Sequence, residues 1–75
     1  MSYVIFSNCK DETRKIGNEV ENRKQAIKEI DKFLKDNNFK SYYMRTWFNV
    51  ERNQYVIDVG SHTEFFYVDK YIWEQ

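Results

Sequence analysis

Apolar and polar positions change their period twice along this chain. Residues 3–7 are a short run of β-forming side chains, Tyr3-Val4-Ile5-Phe6-Ser7, and predict a strand. Residues 8–12 read as a turn, and residues 13–17 can return as a second, more polar edge strand. From residue 22 the period becomes helical, with Ala26, Ile27, Ile30, Phe33 and Leu34 recurring on one face. Asn22 is an N-cap residue, Gln25 completes a capping box, and Glu19 and Glu21 sit near the positive end of the helix dipole. Asn37-Asn38 tolerates the left-handed turn that ends helices, and Phe39 supplies the apolar contact that follows it. These signals predict one helix over about 22–37.

Beyond the helix the period shortens to two. Residues 41–49, Ser-Tyr-Tyr-Met-Arg-Thr-Trp-Phe-Asn, are dense in aromatic and β-branched side chains and predict a strand. Residues 50–53 are a polar connection of hairpin length. Residues 54–59 form the next strand, with Tyr55, Ile57 and Val59 on one side and Val56 and Asp58 on the other. Gly60-Ser61-His62-Thr63 breaks the pattern, and residues 65–73 alternate as a last strand. A helix segregated from consecutive strands implies an α+β fold. The expectation is a single domain over 1–75: an antiparallel sheet of three to five strands, in the order β(β)-α-β-β-β, with the helix on one face.

That architecture is short of cover. A helix of 15 residues is about 22 Å long and 10 Å wide, whereas four strands span about 15–20 Å. One helix therefore shields the middle of one face. An antiparallel sheet can leave its other face wet, but then that face should turn polar. Here rings fall on both sides of the 41–49 strand, Tyr42 and Phe48 on one and Tyr43 and Trp47 on the other. The chain holds 14 aromatic residues among 75, so part of this ring surface must meet solvent or a partner.

Composition narrows the partner. Lys and Arg number 12 against 12 Asp and Glu, so no net charge draws the chain to a polyanion. A base-stacking platform also needs a basic groove for phosphates. The aromatic half, residues 41–75, carries three basic and five acidic side chains, while residues 1–40 carry nine and seven. Lys24, Lys28, Lys32 and Lys35 line the helix opposite its apolar stripe, interrupted by Asp31. They read as a solvated face, and as the phosphate contacts of an alternative nucleic-acid-binding role.

Tyr, Trp and Arg are the residues enriched at the centres of protein interfaces. Tyr43-x-Arg45-x-Trp47 sets all three along one strand face, and Tyr55 is the neighbouring ring. These four are the interface candidates, for a second copy in a two-fold homodimer or for another protein.

Enzymatic chemistry finds little purchase. His62 lies in a turn with Ser61 and Glu64, but neighbours along a strand point to opposite faces and do not make a dyad. Cys9 has no intrachain partner, and His62, Cys9 and Asp58 lack any metal-ligand spacing. No catalytic residue, metal or cofactor is therefore expected. A lone cysteine, no basic leader and no long apolar run fit a soluble cytoplasmic protein. Abundant Lys, Asn, Ile and Tyr with a single Ala suggest an AT-rich genome, such as a low-GC bacterium or its phages. The sequence thus reads as a small non-catalytic interaction protein, a homodimer or an inhibitor- or adaptor-like protein of a phage or mobile element.

Overall fold

A computed structural model describes residues 2–8, 13–41, 43–60 and 63–75. Five strands and two helices follow in the order β1 (Val4–Ser7), β2 (Thr13–Ile16), α1 (Arg23–Asp36), β3 (Arg45–Asn49), β4 (Gln54–Asp58), β5 (Phe65–Asp69) and α2 (Lys70–Trp73). The strands form one antiparallel sheet in the order β2-β1-β5-β4-β3. The domain is the expected α+β type, with both the 13–17 segment and the first strand in the sheet.

Local chemistry explains the helix ends. The Asn22 side chain accepts from the Gln25 amide at 2.9 Å, and Gln25 reaches back to accept from the Glu21 amide at 2.8 Å. At the other end Asn38 is left-handed (φ 57°). The Phe39 amide donates to the Leu34 carbonyl and the Asn38 amide to that of Lys35, the two bonds of a Schellman motif. Phe39 folds back beside Phe33, with ring centroids 6.2 Å apart.

Gly17 follows β2 with φ at +66°, and a Cβ there would lie 2.8 Å from the Glu29 carboxylate. The positive φ favours glycine at the turn that leads towards α1, whereas the Glu29 carboxylate, the end of a flexible side chain, could move aside for a Cβ.

The strand ladders decide which side chains share a face. Phe6, Phe66, Ile57 and Thr46 stand in one row; Ile5, Tyr67, Val56 and Trp47 stand in the next, on the opposite face. The first row faces α1. Phe33 of α1 sits 4.8 Å from Phe6 and 5.8 Å from Phe66, so the helix lies over β1 and β5. Val4, Ile16, Val20, Ala26, Ile30, Leu34, Ile57 and Val68 complete this core.

The last segment departs from expectation. Residues 65–73 were expected as one strand, but pairing ends at Asp69 and a single helical turn follows. The Asp69 carboxylate accepts from the Tyr71 amide at 2.8 Å, capping that turn. The turn swings Trp73 under the sheet, where it is only 6% exposed. Arg23 holds it there: its Nε donates to the Trp73 carbonyl at 2.8 Å, and its guanidinium lies 5.2 Å above the indole. Burying an indole outweighs extending β5 over residues 70–73.

The strand expected over 41–49 is also shorter, starting at Arg45. β4 ends at Asp58, directly opposite Arg45, so its ladder offers nothing to pair with the preceding residues. The 8–12 turn and the 60–63 break fall largely on residues 9–12 and 61–62, outside the described residues.

Candidate functional site at the β3 edge

The second, open face of the sheet partly roofs itself. Val56 lies on it between Trp47 and Tyr67, yet is only 3% exposed. The Arg52 guanidinium stacks over Tyr67 at 4.1 Å, a cation–π contact, and Trp47 meets Phe65 edge-on with centroids 6.4 Å apart. Asp58, on the same face, is buried and satisfied. It accepts from the Gly60 amide at 2.9 Å and from Arg45 Nη2 at 2.9 Å. That hydrogen bond raises the Arg45 pKa above its ordinary value, with Tyr43 adding to the shift. Arg45 also lies over the Tyr43 ring at 5.2 Å.

The uncovered surface therefore concentrates at one margin of the sheet. α1 spans β1 and β5, and α2 brings Trp73 to Tyr55 of β4; of β3, α2 reaches Phe48, with Lys70 Nζ 5.6 Å from that ring. Its first four residues, Arg45 to Phe48, are all exposed. Trp47 is 43% exposed on the open face, and Phe48 is 36% exposed on the helix face. Met44 and Val50, just beyond the strand ends, are exposed too.

Three of the four interface candidates come together here. Tyr43, Arg45 and Trp47 form a contiguous exposed strip. Tyr55 does not join them. Its cross-strand partner is Phe48, whereas Trp47 faces Val56, so Tyr55 belongs to the helix side of the sheet. There it is half-buried between Phe48 (5.3 Å) and Trp73 (6.1 Å), and its hydroxyl donates to Glu74 at 2.8 Å. This bond, and burial after it, raises the phenol above its usual value of 10.0. Phe48, Met44 and Val50 were not among the candidates. Their signal was available as apolar side chains bracketing Trp47, but it required knowing that β3 is an edge.

The opposite edge differs in kind. β2 exposes Thr13, Arg14 and Lys15. Arg14 lies over the rings of Phe6 and Phe33 at 5.7 and 5.6 Å, and Lys15 over Tyr3 at 5.1 Å.

Lys24, Lys28, Lys32 and Lys35 are all exposed on α1. Lys28 and Lys32 share a shallow groove with Glu19 and Glu29, so carboxylates stand where a phosphate would bind. Cys9, Ser61 and His62 lie outside the described residues. Among the described residues no cluster of three or more His, Cys, Asp or Glu could hold a metal, and no helix is long and apolar enough to cross a membrane. Compared with protein-family models, curated proteins and solved structures, the chain matches none.

Proposed function

We propose that this chain is a non-catalytic protein-interaction module that associates through the β3 margin, most directly with a second copy of itself. One observation carries the reading: an edge strand beyond α1 bears Trp47 and Phe48, exposed on opposite faces of the sheet. An apolar edge of this kind is a template for another chain, and monomeric proteins blunt it. The even charge balance leaves self-association unopposed by net repulsion.

The lysine face of α1 supports the nucleic-acid alternative less well, because Glu19 and Glu29 interrupt it and the exposed rings lie elsewhere. A cytoplasmic role in a phage or mobile element remains the setting suggested by composition.

Sedimentation equilibrium of the full chain, from 5 to 500 µM and at low and high salt, tests the reading. Apolar association gives a mass that rises towards the dimer and keeps its affinity within about threefold in 0.5 M salt, where charge contacts are screened. Trp47→Ala is expected to weaken it at least tenfold. A monomer across the whole range sinks self-association, and salt-sensitive binding to a single-stranded oligonucleotide would favour the alternative.

A further inference from the structure

We infer that β3 pairs antiparallel with β3 of a second copy, about a two-fold axis at Trp47, joining two five-stranded sheets into one of ten. This rests on the interaction reading above and specifies its geometry. The first ground is that the exposed apolar groups lie on both faces of one strand, Trp47 on the open face and Phe48 on the helix face. A partner laid on either face would cover one and leave the other. A strand added alongside reaches both, and also satisfies the outward backbone groups of the edge.

The second ground is that the strand matches itself in one register. A two-fold axis perpendicular to the sheet keeps each face on its own side, so opposed residues must have the same parity. Centring the axis on Trp47, the midpoint of β3, uses all of Arg45–Asn49 without drawing on the turn that follows. Trp47 then opposes Trp47 of the other copy. Arg45 opposes Asn49, and Thr46 opposes Phe48. Both exposed apolar residues of β3 gain an aromatic or β-branched neighbour, Trp47 the other Trp47 and Phe48 the other copy's Thr46, of the kind that stabilises cross-strand pairs.

Charge selects the direction. Parallel pairing in register would set Arg45 against Arg45, a destabilising like-charge pair. The antiparallel register instead sets Arg45 opposite the uncharged Asn49 of the other copy. A five-residue edge is small by interface standards, so the dimer is expected in the micromolar range.

Cross-linking reads the register directly. Thr46→Cys and Phe48→Cys are made separately in a Cys9→Ser background, then oxidised alone and as an equal mixture. Directly opposed positions lie within disulfide reach, whereas the same residue in the two copies is displaced by two positions. The mixture should yield at least fivefold more covalent dimer than either variant alone. Trp47→Lys, which sets two ammonium groups face to face at the axis, should weaken dimerisation at least tenfold while the folded monomer persists by circular dichroism. Equal cross-linking from a single variant, or none from the mixture, overturns the register even if the unmodified chain sediments as a dimer. An unmodified chain that stays monomeric at 500 µM overturns both the register and the self-association on which it rests, and leaves the edge to a different chain.

Discussion

The two edges of this sheet solve the same problem in opposite ways. Both β2 and β3 present unpaired backbone to solvent, and both are short. β2 spends its exposed positions on cations whose stems and guanidinium groups cover the rings behind them, Arg14 over Phe6 and Phe33, Lys15 over Tyr3. A strand added to β2 would have to desolvate those charges, which is how natural sheets discourage edge pairing. β3 covers less of its apolar surface: Arg45 turns to Asp58 and Tyr43, Lys70 of α2 lies 5.6 Å from the Phe48 ring, and among the described residues no cation lies over Trp47. Composition of the edge, more than its mere existence, separates a margin blunted by cations from one with exposed rings.

The two tryptophans give the sharpest test of that contrast. Trp73 is 6% exposed and clamped between Arg23 and Tyr55, whereas Trp47 sits on the margin. At concentrations well below the proposed dimer's range, Trp73→Ala should cost about 3–5 kcal/mol of stability, the range for a buried indole. Trp47→Ala should cost about 1 kcal/mol, since it surrenders mainly its edge-on contact with Phe65. Urea denaturation measures both. In association the ranking should invert, with Trp47→Ala weakening the dimer at least tenfold. Comparable losses of stability from the two would mean that Trp47 is a core residue and the margin is not adhesive.

A smaller effect probes the blunted edge. Arg14→Ala uncovers parts of Phe6 and Phe33 and should cost about 0.5–1 kcal/mol, the value of exposed cation–π contacts. It should leave association unchanged, because Arg14 is on the far side of the sheet from β3. Sedimentation of this variant with a raised dimer affinity would show that β2 is adhesive once stripped of its cation.

What the sequence made legible follows from how local each signal is. The helix was readable because its caps lie within a few residues: Asn22 with Gln25, and Asn38 with Phe39. The alternation of β4 was readable too, with Tyr55 on one side and Val56 on the other. Which side faces the helix was not, because that depends on β3 and β5 aligning with β4, a long-range fact that Tyr55 cannot announce. For the same reason Tyr55 was grouped with Trp47 when the ladder sets them on opposite faces. The helical turn at 70–73 was hidden because Tyr71, Ile72 and Trp73 suit a strand equally well. Only the pocket beside Arg23 and Tyr55 decides in favour of the turn. Tyr43, Arg45 and Trp47 were found together because they follow one another on one segment.

The smallest expected effect distinguishes the fixed end of the helix side from the free margin by pH. Tyr55 donates its phenolic proton to Glu74, and this bond, with burial second, raises its pKa above the ordinary 10.0. A group whose pKa is higher in the folded state stabilises that state below the unfolded value and loses the contribution as pH rises through the folded value. The contact should therefore hold α2 against β4 at neutral pH and release it only in alkali. Glu74→Gln removes the negative charge and should move the Tyr55 titration, followed through its ring carbon shifts by NMR, back towards 10. Trp47 and Phe48 carry no titrating group, so the same variant should leave the dimer affinity at neutral pH within about twofold. If Glu74→Gln leaves the Tyr55 titration where it was, the hydroxyl does not depend on that carboxylate. If it instead weakens dimerisation, the helix side and the β3 margin are coupled, and the division of this sheet into one sealed and one adhesive boundary fails.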